Sequence, residues 1–530
     1  MLLSMIMMTV KGLLLLVAAV YGFAFLLRTE DATWVKKAPL AILLSMFFIG
    51  MWGHIYWSAY AALLLALPLL AKDRADGAAL YCILIVSMPL LSQQLSIGSL
   101  YLIPTNKYLF CALGLAIVFM LKRDNRAPAR RLSHFGLPIF LITLLEIAQL
   151  RDPSITAMIR QSIPVLLTIP LPYFLISRAL RSANDVRRFL LAFTMSGFVM
   201  AVVATAEARL HWLIYRQIEG LLQIQMSVNG YSKLRAGLIR APASFPESTT
   251  LAIFLVLAIM AAFATRSSFA SKGKWWVVLS VLGLGLISAN SRSAFLVLPL
   301  GLVAWDFYRR RYGALAIKVV GAAGVYVLAL FAAQFSAFFA AMVGQDSGTA
   351  STSDYRVQLL HRGMEEIRKH PIFGQNLKSA LDNLQDLRQG EGIIDLVNGY
   401  INYGLVSGYP GMVALGLAFI SLCIAMLVAR AKLQRNVMQV EAAACVFAVA
   451  ALSAVSCFFS GFGGPVSTSY YQMCAVGSAI WAMRAMAPAV RGAAGAPAAP
   501  ALSGIAALIA ADRNRAKALA TAPSAAVGEG

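Results

Sequence analysis

The chain of 530 residues is too apolar for a soluble globular fold: 60% of its residues are hydrophobic and 13% are charged, against about 25% charged in ordinary globular domains. Its 45 Lys and Arg exceed its 23 Asp and Glu, which gives a formal net charge of +22. In a soluble protein that excess would indicate nucleic-acid binding. Here the basic residues form short clusters between apolar blocks, the pattern of the positive-inside rule, so we expect a lipid bilayer and no nucleic acid as partner.

The apolar blocks recur along most of the chain, and each is about 15–25 residues long, enough to cross a hydrocarbon core of about 30 Å. Backbone polar groups in lipid must be satisfied within their own segment, so the blocks are predicted to be helices. The predicted fold class is all-α: a polytopic integral membrane protein with about 12–15 transmembrane helices and one large extracytoplasmic loop. In chain order the candidate spans lie near residues 9–27, 38–53, 55–71, 77–92, 104–121, 136–150, 161–177, 189–212, 248–265, 275–289, 294–308, 314–343, 409–429, 441–459 and 469–485.

The clusters of Lys and Arg all fall on one side of these spans, which the positive-inside rule makes cytoplasmic. Two long connections, 213–247 and 344–408, then lie on the opposite, extracytoplasmic face. The chain is predicted to divide into N-terminal transmembrane helices at 1–188, a core at 189–430 that includes both connections, C-terminal transmembrane helices at 431–485, and an Ala/Pro-rich cytoplasmic tail at 486–530 whose composition predicts disorder.

Two polar segments on the extracytoplasmic face carry arginine beside an apolar span. The first runs from Arg240 to Glu247, follows Arg235, and leads directly into an apolar helix. The second holds Ser291 and Arg292 at the tip of a tight hairpin between two apolar spans. Arginine at a membrane boundary is costly unless it snorkels, pairs or binds something, so these residues are either ordinary interfacial arginines or parts of an anion site.

A third arginine segment lies in the connection 344–408. Arg356 accompanies a rough helical apolar face, and Pro371 ends this helix directly after His370. Such a helix also fits a position flat on the membrane surface. Arginines on three separate segments of one face nevertheless suit a phosphate or pyrophosphate, because the guanidinium group binds its oxygens through two parallel hydrogen bonds and keeps its charge. The sequence has no nucleotide-binding, metalloprotease or serine-hydrolase motif.

Four short signatures follow one another over residues 190–430. They are Arg240–Glu247 before a helix, Ser291–Ala294 before a helix, Arg356 with a helix that ends at His370–Gly374, and Asn398–Tyr400 followed by Gly404, Gly408 and Gly411. In their order, spacing and sidedness these signatures resemble the bacterial O-antigen ligase/polymerase superfamily of membrane glycosyltransferases. The resemblance implies an inverting enzyme that needs neither metal nor cofactor and that works at the periplasmic face of the bacterial inner membrane.

The resemblance also implies the substrates. The donor is a glycan on undecaprenyl pyrophosphate; ligases transfer it to lipid A–core, and polymerases transfer a growing chain to the next lipid-linked repeat unit. Chain-length regulators and export proteins are partners that a polymerase would involve. The residues expected to bind the pyrophosphate are Arg240, Arg292 and Arg356, with Arg235, Ser291, Asn398 and Tyr400 as weaker candidates.

The chain departs from the ligase pattern at Val397. Ligases of the superfamily usually carry a histidine directly before the asparagine of the fourth signature, and valine cannot accept a proton. Either the base lies elsewhere, with Glu247, Asp395 and His370 as candidates, or departure of the pyrophosphate limits the rate. We therefore predict a polymerase of exopolysaccharide or O-antigen, with an O-antigen ligase as the first alternative and a transporter or flippase of lipid-linked glycan as the second.

Overall fold

The computed structural model describes residues 2–53, 55–89, 91–97, 100–122, 134–150, 154–221, 234–235, 238–336, 339–340, 343, 347–388, 394–433 and 436–484. The predicted tail at 486–530 lies outside the described residues, and so does the middle of the predicted connection 213–247.

Helices dominate the first part of the chain. They are α1 (Leu2–Leu26), α2 (Thr29–Val35), α3 (Ala38–Trp52), α4 (Tyr56–Leu70), α5 (Arg74–Ser87), α6 (Lys107–Leu121), α7 (Leu137–Ala148), α8 (Ile155–Thr168), α9 (Pro170–Ala179), α10 (Ala183–Leu210) and α11 (Ile214–Leu221). Between α5 and α6 the strands β1 (Ser92–Ile97) and β2 (Leu100–Asn106) form an antiparallel hairpin that the apolar pattern did not predict.

The second part begins with two short strands, β3 (Leu234–Arg235) and β4 (Leu238–Ile239), which also pair antiparallel. The helices that follow are α12 (Ser248–Ala264), α13 (Lys272–Ala289), α14 (Arg292–Tyr308), α15 (Tyr312–Ala332), α16 (Ser347–Lys369), α17 (Leu377–Asp382), α18 (Gly399–Leu433), α19 (Val437–Ser456) and α20 (Gly464–Met483). Among the described residues the strands are these two short pairs, so the predicted all-α polytopic fold is confirmed.

Eight helical stretches among the described residues are long and apolar enough to cross a membrane. They are Leu2–Leu26, Thr29–Trp52, Ile155–Ala179, Ala183–Leu210, Lys272–Ala289, Tyr312–Ala332, Gly399–Leu433 and Val437–Ser456. Shorter apolar helices lie at Trp57–Leu70, Lys107–Leu121, Leu137–Ala148 and Ser248–Ala264. The predicted number of spans, 12 to 15, counts such short helices as well.

Proline and glycine account for two places where predicted spans and helices differ. The predicted span 161–177 is divided between α8 and α9, since α9 begins at Pro170, which has no backbone N–H to continue the hydrogen bonds of α8. The predicted span 409–429 is the second part of the longer α18, which is kinked where Gly408 has a φ of 66° and a ψ of −163°. The kink separates the segment 399–407 from the long apolar part of the helix.

The basic segments meet at one end of the helices. Arg187 forms an ion pair with Asp31 at 2.5 Å and donates a hydrogen bond to the Ser268 hydroxyl at 2.8 Å. Lys274 donates to the carbonyl oxygen of Phe25 at 2.7 Å. We call this end, with residues 28–37, 178–188 and 266–274, the basic face. The opposite end of the helices is formed by the last residues of α10 and α13 and the first residues of α12, α14 and α18. We call it the site face.

The sidedness can be tested with two exposed lysines. Lys272 begins α13 at the basic face, and Lys378 lies on α17, in the predicted extracytoplasmic connection. Because basic segments stay in the cytoplasm, a Lys378→Cys variant should react with a membrane-impermeant maleimide in intact cells, and Lys272→Cys only after lysis. Five of the six native cysteines are buried and Cys423 is half-buried, so the unmutated protein serves as the labelling control. Labelling of Lys378→Cys only after lysis would reverse the topology.

The connection 344–408 forms a small second core where it packs on the first turns of α18. Glu366 is buried within it and accepts hydrogen bonds from Lys369, Gln375 and Asn383. Burial alone would raise the pKa of Glu366, but these hydrogen bonds outweigh it and hold that pKa at about 2. The apolar members of this core are Leu359, Ile367, Ala380, Leu384, Leu387, Ile401 and Leu405.

Candidate active site

The first signature forms a compact loop between β4 and α12. Pro242 and Pro246 prevent an earlier helix start, because proline lacks the backbone donor and restricts the residue before it. Ala243 is buried and has a positive φ of 48°, a conformation that L-residues adopt at a cost. Phe245 packs against Phe254 of α12 with ring centroids 5.0 Å apart. The loop therefore has one tightly defined shape, with Arg240 before it and Glu247 at its end.

Glu207, in the last turn of α10, is hydrogen-bonded to this loop. Its side chain is fully buried, and its two carboxylate oxygens have different backbone partners. One oxygen accepts a hydrogen bond from the Ile214 amide at 3.0 Å, and the other accepts one from the Ala243 amide at 2.9 Å. These bonds satisfy buried donors on two separate segments, which would otherwise be costly to leave unpaired. Glu207 thus joins the end of α10, the start of α11 and the Ala243 turn.

The second signature is the turn between α13 and α14. Asn290 ends α13 in the left-handed conformation, with a φ of 50° and a ψ of 48°, which asparagine tolerates better than most residues. Its backbone oxygen accepts a hydrogen bond from the Arg235 guanidinium at 2.9 Å, and its side-chain amide donates to the Arg235 carbonyl at 3.2 Å. Arg292 is the first residue of α14. Since helix N-termini attract anions, both the side chain and the helix end favour negative charge here.

The third and fourth signatures meet through Tyr355 of α16. Its hydroxyl donates a hydrogen bond to the backbone carbonyl of Asp395 at 2.9 Å. The next residue on the helix is Arg356, so the same contact fixes the Asp395 segment beside this arginine. Asn398 then caps α18, because its side-chain oxygen accepts a hydrogen bond from the Ile401 amide at 3.1 Å.

The three arginines of the separate signatures form one electrostatic cluster. Burial lowers the pKa of the Arg240 guanidinium; Glu247 acts in the opposite direction, and the charges of Arg292 and Arg356 lower this pKa further. The pKa of Arg356 is likewise lowered by burial and by Arg292, and raised by Asp395. Three half-buried cations thus lie close together, with a carboxylate beside Arg240 and another beside Arg356.

Part of this cluster has unused hydrogen-bonding capacity. A terminal nitrogen of Arg240 donates to the Thr249 hydroxyl at 3.0 Å. The Nε atoms of Arg240 and Arg356, however, are buried and have no hydrogen-bond partner among the described residues. A buried donor without a partner is unusual and calls for an explanation. An anion with several oxygens would supply acceptors and offset the repulsion among the three guanidinium groups.

The remaining sequence-predicted site residues have other positions or partners. His370 is exposed at the end of α16, roughly 20 Å along the helix axis from Arg356 at 1.5 Å per residue. The Tyr400 hydroxyl donates to the backbone oxygen of Ala454 at 2.9 Å. Ser291 is buried, and its hydroxyl lies 3.0 Å from that of Ser293. The structure therefore brings together Arg240, Arg292, Arg356, Glu247 and Asp395, and leaves His370 away from them.

Two acidic residues near this face fall outside the signatures. Glu207 is described above, and Glu146 near the end of α7 accepts a hydrogen bond from the Tyr403 hydroxyl of α18. The available sequence signal was a carboxylate near the end of an otherwise apolar helix, since such residues are rare in membranes and often functional. Nothing in the sequence indicated which loop either residue would contact.

Within the described parts of the chain, no three His, Cys, Asp or Glu residues lie close enough to hold a metal ion.

Comparison with known families covers part of this site. Residues 276–416 match the family model described as O-antigen ligase. The matched region contains Arg292, Arg356 and Asn398, whereas Arg240 precedes it. No curated protein matches the chain. The family match, over the region that carries three of the four signatures, confirms that this chain resembles the O-antigen ligase/polymerase superfamily.

Proposed function

We propose that this protein polymerises a bacterial surface polysaccharide, either an exopolysaccharide or an O-antigen, from undecaprenyl-pyrophosphate-linked repeat units. The observation that carries the proposal is the cluster of Arg240, Arg292 and Arg356, brought together from three separate signatures. Its charge and its buried donors fit a pyrophosphate. The cluster lies at the ends of apolar helices, where the headgroup of a membrane-anchored donor would be found.

The chemistry requires the pyrophosphate to leave with an additional negative charge. The bond between the anomeric carbon and the pyrophosphate oxygen breaks, and its electron pair stays on that oxygen. The acceptor hydroxyl bonds to the anomeric carbon from the opposite side, which inverts its configuration, and loses its proton to a base. The arginines stabilise the departing oxygen, since prearranged cations in a poorly solvated site act most strongly where charge develops. No metal ion is needed for this step.

Asp395 is the carboxylate we assign as the base. It is exposed to an incoming acceptor, lies beside Arg356, and stands two residues from Val397, where ligases of the superfamily usually have a histidine. Glu247 also lies beside an arginine, but it directly precedes α12 at the end of the rigid first-signature loop. His370 lies too far along α16 from Arg356 to act as a base at the arginine cluster.

The assignment predicts unequal effects of two conservative substitutions. Asp395→Asn should lower kcat by about 10²- to 10⁴-fold, the usual contribution of general acid–base catalysis, and leave KM for the donor nearly unchanged. Asp382→Asn, at an exposed carboxylate on α17, is the matched control. A larger loss for Glu247→Gln than for Asp395→Asn, measured with purified protein and lipid-linked donor, would assign the base to Glu247.

Val397 favours a polymerase over a ligase. A polymerase joins two glycans that are anchored in the same leaflet, so it needs no docking surface for lipid A–core. We assign the site face to the periplasm, because the positive-inside rule puts basic segments in the cytoplasm, and we take the membrane to be the bacterial inner membrane, as the family resemblance implies. Chain-length regulators and export proteins are the partners expected for such an enzyme.

Deletion of the gene separates the three functions by the length of the lipid-linked glycan. Without a polymerase, single repeat units should remain on the carrier and long polymer should be absent from the gel. Complementation with the intact gene should restore the ladder of chain lengths. Long chains stranded on the carrier would indicate a ligase, and units confined to the cytoplasmic leaflet would indicate a flippase; either result excludes the polymerase.

A further inference from the structure

Two large apolar side chains protrude from the turn that ends α16. Ile372 is 62% exposed and Phe373 is 76% exposed, although the neighbouring connection has a well-formed apolar core. The signature that contains them, His370–Gly374, lies far from the arginine cluster along α16. The proposed chemistry therefore leaves this pair unexplained.

The turn is fixed on the kink of α18 by close backbone contacts. The Pro371 carbonyl accepts a hydrogen bond from the Tyr409 amide at 2.8 Å, and the Gln375 amide donates to the Leu405 carbonyl at 2.9 Å. Gly374 and Gly408 both have positive φ, at 59° and 66°. A Cβ atom at Gly374 would lie 2.3 Å from the Val406 carbonyl carbon, and one at Gly408 would lie 2.4 Å from the Pro371 oxygen. The protruding pair is thus held rigidly beside Tyr409.

The length of α18 gives the depth of this turn in the bilayer. Arg430 lies near the basic end of the helix, and Pro410 directly follows Tyr409. At 1.5 Å per residue, the twenty residues between Pro410 and Arg430 span about 30 Å, the thickness of the hydrocarbon core. Tyr409 therefore lies at the boundary on the site face, the level at which tyrosine is enriched in membrane proteins.

The exposed pair continues a lipid-facing surface of α18. The exposed apolar residues of this helix recur every three to four positions, as one face of a helix requires. They are Tyr409, Val413, Leu417, Ile420, Ile424, Leu427 and Val428, all between 37% and 58% exposed. The apolar surface thus extends from the membrane-spanning part of α18 through Tyr409 to the neighbouring turn.

We propose that Ile372 and Phe373 insert into the lipid bilayer at the site face and anchor α16 to the membrane surface. The occupant of this surface is the acyl region of the bilayer, because the surface continues one that already faces lipid. The neighbouring Arg368 and His370 are exposed and remain at the headgroup level, as basic side chains do beside an inserted apolar wedge. With one end anchored and Tyr355 bound to the Asp395 segment, α16 holds Arg356 at a fixed height above the bilayer.

Spin-label accessibility tests this inference without any activity assay, so its outcome does not depend on the proposed polymerase. A nitroxide is attached at Phe373→Cys, at the lipid-facing control Val413→Cys, and at the aqueous control Lys378→Cys, each in protein reconstituted into nanodiscs. At position 373 we expect collisions with oxygen to dominate over collisions with a polar nickel chelate, as at position 413. Position 378 should give the reverse.

A second label at Ile372→Cys keeps the test decisive if the Phe373 variant elutes as aggregate. Nickel accessibility at 372 and 373 equal to that at 378 would overturn the proposal, because it would place the turn in water. Label mobility should also be low at 373, since the backbone of the turn is fixed on α18 by two hydrogen bonds.

Discussion

Arg292→Ala should reduce glycan transfer about 10²- to 10³-fold, the usual effect of removing one donor that stabilises a developing anion. Arg240→Ala should do the same, because both arginines belong to one cluster. Lysine at either position should restore little activity, since an ammonium group cannot make two parallel hydrogen bonds to one phosphate group. The measurement is the rate of polymer formation by purified protein with lipid-linked donor.

Arg362→Ala is the matched control for these variants. Arg362 lies on α16, is partly exposed, and pairs with Asp386 at 2.8 Å and Glu365 at 2.7 Å. The hydrogen bonds that Arg362 donates to Asp386 and Glu365 raise the pKa of Arg362, whereas burial and the charge of Arg292 lower the pKa of Arg356. Loss of the Arg362 side chain should leave the rate of glycan transfer unchanged. Transfer near the wild-type rate in both Arg240→Ala and Arg292→Ala would mean that these residues merely snorkel to the membrane surface.

The melting temperature of the protein, measured with and without pyrophosphate, distinguishes a binding role of the arginines from a structural one. Three neighbouring guanidinium groups repel one another in the absence of an anion, so removing one should not lower the melting temperature of the unliganded protein. Pyrophosphate should raise the melting temperature of the wild type, because a ligand that binds only the folded state stabilises it. The same addition should have little effect on Arg292→Ala.

Glu207→Gln is the second substitution with a large expected effect. Its amide has one acceptor oxygen, so either the Ala243 amide or the Ile214 amide must face an NH₂ group. A buried donor without an acceptor costs about 1–3 kcal/mol. If the first-signature loop relieves this cost by moving, Arg240 loses its position, and we expect transfer to fall about 10- to 100-fold, given that about 1.4 kcal/mol corresponds to a factor of ten.

The readout for Glu207 must distinguish positioning from general unfolding. The Glu207→Gln protein should elute as the wild type does and retain its helical circular dichroism, while pyrophosphate stabilises it less. Asp at this position is one methylene shorter and should not restore both hydrogen bonds. Glu365→Gln, at an exposed carboxylate on α16, is the control. Unchanged pyrophosphate binding in Glu207→Gln would show that the carboxylate does not position Arg240.

The sequence was sufficient for the helices and for the proximity of the arginines. Apolar length determines a membrane helix almost alone, because lipid offers the backbone no other partner. Arg240 and Arg292 each stand beside a span that ends on the same face, and Arg356 lies in a connection predicted on that face, so the three could be expected near one another. Charge patterning predicts only that they share a face; their mutual electrostatic influence comes from the structure.

The tertiary contacts of the site could not be predicted from the sequence. The carboxylate of Glu207 accepts hydrogen bonds from backbone amides. Because nearly every residue has such an amide, the sequence cannot show which ones Glu207 binds. The glycines of the fourth signature could be read as flexible points, yet Gly408 is the place where the Pro371 turn approaches the backbone of α18 too closely for any Cβ. The distance of His370 from Arg356 depends on α16 being continuous over Ser347–Lys369, and apolar periodicity indicates only a rough helix there.

The lengths of α12, α13 and α14 have a consequence for the surrounding lipid. These helices have 17 or 18 residues and are therefore about 26 Å long, a few ångströms less than an average hydrocarbon core of about 30 Å. A bilayer adapts to such hydrophobic mismatch by thinning locally. The lipid headgroups around Arg240 and Arg292 are then drawn inward. If the donor is the polyprenyl pyrophosphate that we propose, its pyrophosphate would reach the guanidinium groups while its tail stays fully in lipid.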